Sequence, residues 1–369
     1  MKKLAIIGAN DFQNQLILKA KSLGYETHVF AWKDGSVGET TADYFYPINV
    51  VEKDAILEEC RRIKPVGICS IASDLTSITV NYVAENLNLP CNSTAYTDIQ
   101  TNKYAMRKAL SDAGVSCPKF ILADEFTDFR KELSSFSFPI IVKPTDRSGS
   151  RNITKLDSLD GIETAVRNAC GTSFEGKAII EEYLTGEEYS METISYKGKH
   201  HFLAVTKKFT TGAPNFIETG HKQPSDLRPD IIERAKTIIF KALDALHVEN
   251  SAGHSEFRVD DEGNIKIIEI GARMGGDCIG SDLVYLSTGH DFVKMVIDVA
   301  CGNEPILNRN PSNSQAEIRF LFDQNDLDGF EELKKNHGEQ IYRVSDFHLT
   351  NIGNVTDSSS RIGYYILIF

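Results

Sequence analysis

Few folds accommodate the stretch from Ser255 to Arg273. Ser255-Glu256-Phe257-Arg258-Val259 and Ile265-Lys266-Ile267-Ile268-Glu269-Ile270-Gly271 alternate apolar with charged or polar residues, and Asp260-Asp261-Glu262-Gly263-Asn264 between them is a cluster of turn formers. That is the pattern of a β-hairpin. If Asp261 to Asn264 form a four-residue loop, Glu256 stands directly opposite Glu269. Side chains alternate along a strand, so both carboxylates share one face. Like charges placed across a ladder repel, and a hard cation with oxygen ligands removes that cost. Two readings stand at this point: a magnesium site that holds ATP phosphates with Arg273 just beyond it, or a solvated hairpin with ordinary surface charges.

The preceding chain alternates strands and helices. Leu4-Ala5-Ile6-Ile7 reads as a buried strand, Gly8-Ala9-Asn10 as a tight turn, Gln13 to Leu23 as an amphipathic helix and Glu26 to Ala31 as the next strand. This is a βαβ start. Only Gly8 of a G-x-G-x-x-G fingerprint is in place, which argues for a Rossmann-like fold without NAD. Lys53 to Ile63 and Thr79 to Asn86 read as helices and Val66 to Ala72 as a strand. Ser73 and Asp74 follow that strand, where ligands of open sheets bind, but the favoured reading makes them helix caps. Thr94 to Ala113 reads as one helix stopped by Gly114. Lys103 and Arg107 form an i, i+4 cationic face on it, which by itself reads as solvated.

Val142-Lys143-Pro144 ends a strand, and Thr145 to Asn152 is a small polar loop whose backbone N–H groups can cradle phosphates. Lys177 to Leu184 is a strand running into a turn at Gly186, followed by a strand that begins Glu187-Glu188. Lys207 and Lys208 lie on a later strand. Glu218 to His221 and Pro224 read as a loop with a carboxylate and an imidazole, and Asp230 to Leu246 as an amphipathic helix. After Arg273 comes a glycine-rich turn with Gly275 and Gly276, then helical segments, a polar linker from Asn303 to Ser314 and a β-rich stretch from Ala316 to Phe369.

A formal net charge of −12 argues against nucleic acid or a membrane surface as partner. Seven cysteines without a C-x-x-C pair suggest reduced thiols and a cytoplasmic protein. No apolar run approaches the ~20 residues of a transmembrane helix.

Taken in order, these pieces resemble the ATP-grasp superfamily, closest to its carboxylate–amine and L-amino-acid ligase branch. The resemblance implies an α/β chain with α+β ATP-binding lobes: a Rossmann-like domain over 1–95, a two-lobed ATP-grasp domain over 96–305 with its lid at about 118–186, and a small β-rich subdomain over 306–369. By position, Lys103 and Lys143 resemble phosphate contacts, and Ser148, Gly149 and Ser150 resemble the lid loop. Glu181, Glu182, Tyr183 and Leu184 resemble the adenine hinge, and Glu188 the ribose-binding acid. Glu256 and Glu269 resemble the metal ligands, with Mg2+ first and Mn2+ as an alternative, and Arg273 resembles the arginine that stabilises the reacting phosphoryl group. Glu218, His221, Arg273, Gly275 and Gly276 resemble substrate contacts. Many members carry Asn where this chain has Gly271, and the lid loop is poor in glycine.

The implied activity is ATP-dependent activation of a small carboxylate as an acyl phosphate for attack by an amine, with a homodimer as the family-level expectation. The alternatives are a phosphoribosylglycinamide synthetase-like or carboxylating enzyme, and a nucleotide-binding regulatory protein without turnover.

Overall fold

The computed structural model describes residues 1–126, 128–149, 151–307 and 314–369. Three sheets carry the chain. The first is parallel, in the order Tyr44–Tyr46, Tyr25–Phe30, Lys2–Ile7, Gly67–Cys69. Leu4 to Ile7 are wholly buried because helices cover both faces. Asn10 caps helix Asp11–Ser22 in a reciprocal capping box with Gln13. Helix Lys53–Ile63 has the bounds that its periodicity predicts.

The expected helix from Thr94 to Ala113 is broken. A short turn at Thr94–Tyr96 and helix Thr97–Thr101 precede helix Lys103–Asp112, whose N-cap is Asn102. The Asn102 side chain accepts from the Tyr104 and Ala105 N–H groups, the local bond that makes Asn a cap rather than a helix interior. The break puts Lys103 in the first turn of the new helix, and its N–H donates to Thr145 O at 2.7 Å.

The second sheet is antiparallel, in the order Phe120–Ala123, Ala178–Glu182, Ile140–Pro144, Thr154–Leu156, with helix Ile162–Thr172 packed on it. The third has eight strands: Ile265–Gly271, Ser251–Val259, Glu187–Tyr196, Lys199–Thr210, Glu218–Gln223, Ala316–Leu321, Gly363–Ile368 and Ile341–Val344. One expectation falls here. Glu218 to His221 is a strand, not a loop, because it pairs with Lys199–Thr210 on one side and Ala316–Leu321 on the other. The three strands of the C-terminal β-rich stretch extend this sheet. Of the expected linker, residues 308–313 lie outside the described residues. Among the described residues no helix is long and apolar enough to cross a membrane.

Candidate active site

The hairpin forms, with one irregularity. Val259 pairs with Ile265 and Phe257 with Ile267, closing a loop over 260–264 that is one residue longer than expected. A bulge at Ile268 then shifts the register, so Glu256 pairs with Glu269 after all. Ile267 and Ile270 pack into the core, while Ile268 and Glu269 both line the cavity.

Three neighbouring strands set polar side chains on one face at every second position: His254, Glu256 and Arg258; Glu188, Ser190 and Glu192; Thr206, Lys208 and Thr210. The ladder places Glu188 opposite Arg258, Ser190 opposite Glu256 and Glu192 opposite His254. A cavity of about 330 Å³ opens over this face, walled by the second sheet and by the corner at Ala72 and Asp74.

Lys208 hydrogen-bonds Glu256 Oε1, with Glu188 and Glu218 carboxylates at 3.5 and 3.9 Å. His254 bridges Glu192 Oε1 at 2.7 Å and Glu256 Oε1 at 3.2 Å. Burial pushes the Glu256 carboxyl up, but Lys208 and His254 more than offset it and hold it well below the usual carboxylate range. Burial works against the His254 imidazolium, yet Glu192 and Glu256 raise it to about 9. Lys103 donates to Glu269 Oε1 at 2.8 Å and to Arg147 O at 2.7 Å. Among the described residues, Oε2 of Glu256 and of Glu269 has no hydrogen-bond partner.

That donor set fits magnesium. Two hard carboxylates share one face, each with an uncommitted oxygen, and no cluster of three or more His, Cys, Asp or Glu ligands forms among the described residues. Mg2+ takes one or two carboxylates and fills the rest of its octahedron with water and phosphate oxygens.

Several expected contacts take other positions. Lys103 and Arg107 are buried, not solvated, because the carboxylates they pair with come from distant strands. Glu181 lines the cavity with both carboxylate oxygens already paired: Arg107 Nε holds Oε1 at 2.5 Å and Lys143 Nζ holds Oε2 at 2.6 Å. Burial raises the Glu181 carboxyl, and the two cations overcome it and bring it to about 2. The Glu182 and Tyr183 N–H groups are taken by Lys119 O and Pro139 O. Glu182, Tyr183 and Leu184 still line the cavity, with Glu188 held by Arg258 at 3.0 Å. Ser148 and Gly149 line it as well, whereas Ser150 lies outside the described residues.

At the far end, Glu218 and His221 reach the cavity from their strand. Asp277 sits 3.5 Å from His221 and is clamped by Arg361 at 2.8 and 3.0 Å. Gly276 lines the wall, but Gly275 packs over His254 and Glu192, where a Cβ would lie 2.7 Å from His254 Nδ1. Asp74 is not the helix cap: Ser73 is, and the Asp74 carboxylate instead meets Arg273. Sequence reasoning assigned no role here to Lys208, His254, Arg258, Asp277 or Arg361. For the first three the signal was there, as a polar residue at every second position of a strand.

The family model for the ATP-grasp domain matches residues 136–282. An alanine–anticapsin ligase of Bacillus subtilis is 26% identical over 306 residues, 73% of this chain and 63% of that protein, so the chain spans a little under two thirds of that relative. The crystal structure of an L-amino acid ligase from Bacillus licheniformis superposes with a TM-score of 0.82 at 22% identity, over 100% of this chain and 93% of the other. That of a phosphoribosylglycinamide synthetase from Anaerococcus prevotii gives 0.77 at 21% identity, over 100% and 94%.

Proposed function

Because residues 136–282 match the ATP-grasp domain model, we propose that the chain is an ATP-grasp protein acting as an ATP-dependent carboxylate–amine ligase. The observation that carries this reading is the pair Glu256 and Glu269, opposed across the hairpin with one oxygen each uncommitted, beneath a cavity lined by Lys103, Lys143, Lys208 and Arg273. A carboxylate is a poor electrophile, and transfer of the γ-phosphoryl group makes it an acyl phosphate from which phosphate leaves readily. The protein's part is positioning and charge stabilisation.

In this reading, the strand end from Glu182 to Leu184 receives the adenine and Glu188 the ribose. Ser148 and Gly149 close over the terminal phosphates. Magnesium, held by Glu256 and Glu269, would neutralise charge on the β- and γ-phosphates. Lys103 and Lys208 already touch the two carboxylates, and in this reading their ammonium groups lie beside the phosphates. Arg273 faces the acyl oxygen, and Glu218, His221 and the Gly276 backbone border the acceptor end. Seven cysteines, all free thiols, agree with a reducing cytoplasm.

A phosphate-release screen over pairs of amino acids, with ATP and magnesium, tests the reading. Phosphate released only when both a carboxylate and an amine are present supports a ligase. Release with bicarbonate or with phosphoribosylamine and glycine instead supports the carboxylating or synthetase alternative. ATP binding without turnover in any mixture supports the regulatory alternative.

A further inference from the structure

We propose that Asp74 is the positioning residue for Arg273, and that the glycine at 271 is the space that lets it act. The proposal rests on the ligase reading above only for the meaning of Arg273; the geometry stands by itself. Asp74 begins helix Asp74–Asn86 of the first sheet's layer, and Arg273 follows the last strand of the hairpin in the eight-stranded sheet. Arg273 Nε donates to Asp74 Oδ1 at 2.9 Å and Nη2 to Oδ2 at 3.1 Å, a side-on, two-point pair. Helix capping does not account for Asp74, because the Ser73 side chain does that work.

Two further observations fix the pair. A Cβ built on Gly271 would lie 3.0 Å from Asp74 Oδ1 and 3.1 Å from Arg273 Nε and Cζ, so any side chain at 271 presses on it. The corner before Asp74 is also tied down. Ala72 has a left-handed backbone, φ 63°, that non-glycine residues rarely adopt, and its N–H donates to Met274 O at 3.1 Å. The Arg273 Nη1 group meets the same carbonyl at 3.4 Å.

A guanidinium has five N–H donors in a rigid fork. Two go to Asp74 and one to Met274 O, which leaves two for an oxyanion in the cavity. Arg273 is thus aimed before any ligand arrives, and the entropy of ordering a long side chain is removed from the reaction.

The full chain is assayed for phosphate release with magnesium and ATP plus the amino-acid pair most active in the screen, as wild type, D74A, D74N, D74E, G271A and D74A/G271A. D74A should lower kcat by roughly 100-fold with the KM for ATP unchanged, the size expected of a misplaced catalytic group. D74N should lie near D74A, and D74E should recover part of the rate. G271A should also lower kcat, but by less in the D74A background than in wild type, since one of the two groups it presses on is gone. In parallel, the Arg273 Nε–H resonance, identified by its loss in R273K, should be protected from exchange in wild type and exposed in D74A. A D74A enzyme with wild-type kcat, independent multiplying effects of D74A and G271A, or an unchanged Nε–H resonance in D74A would overturn the proposal. If the wild type turns nothing over, the ligase reading fails, and the resonance alone decides whether Asp74 holds Arg273.

Discussion

Two groups of carboxylates line the same cavity and are held in opposite ways. Glu181 is 2% exposed and has both oxygens taken, one by Arg107 and one by Lys143. Glu256 and Glu269 are part-exposed, and each has one oxygen committed to a lysine and one left over. A carboxylate with each oxygen held by a cation serves as a strut; one with an oxygen left free can take a ligand. Residue type and spacing do not separate the two, and the count of committed oxygens does.

The sharpest way to break this comparison is at the hairpin. Glu269→Gln should abolish magnesium-dependent ATP turnover while leaving far-UV circular dichroism unchanged; full activity in that variant would place the metal elsewhere. Glu181→Gln should act on stability instead. Removing one partner of a buried ion network strands the others, at about 3–5 kcal/mol in urea unfolding. Turnover lost without any loss of stability would make Glu181 a ligand contact. Arg273→Ala should lower kcat by about 100-fold, or about 2.7 kcal/mol of barrier, with ATP affinity kept. A pure rise in the KM for ATP would contradict its assigned place.

The smallest effect is in pH. The folded Glu181 carboxyl lies at about 2 against an ordinary 4.5. Its depressed value means that the ionised strut stabilises the protein above the unfolded pKa, and that this stability is lost as pH falls through the folded one. The stability gap between wild type and Glu181→Gln should therefore narrow from about 4.5 down to about 2, measured by denaturant midpoints. A gap constant over that window would mean that Glu181 is not held ionised.

Much of the layout was legible because it is local. Helix Lys53–Ile63 follows from periodicity; the opposed glutamates were expected as well, but through a four-residue loop, whereas a five-residue loop and a bulge set them opposite. What was illegible depends on strand order. His254 and Glu192 meet because their strands are neighbours, and Lys208 reaches Glu256 from one strand further. Nothing along the chain states that order. The pair Lys103 and Arg107 looked solvated for the same reason: their partners, Glu269 and Glu181, are 166 and 74 residues away. Asp74 looked like a cap because the residue beside it is one, and its true partner lies 199 positions on.

The irregular residue in the hairpin has a wider reach than the pairing of two acids. A plain ladder lacking Ile268 would also set Glu256 against its partner acid, so the insertion is not needed for that. What it adds is a pair of outward-turned carbonyls, Ile267 O and Ile268 O, and both accept from Arg107, at 3.0 and 2.6 Å. The same guanidinium grips Glu181 in the other lobe. One side chain thus tethers the two walls of the cleft near its base, and any widening of the mouth must either swivel about Arg107 or tear it loose.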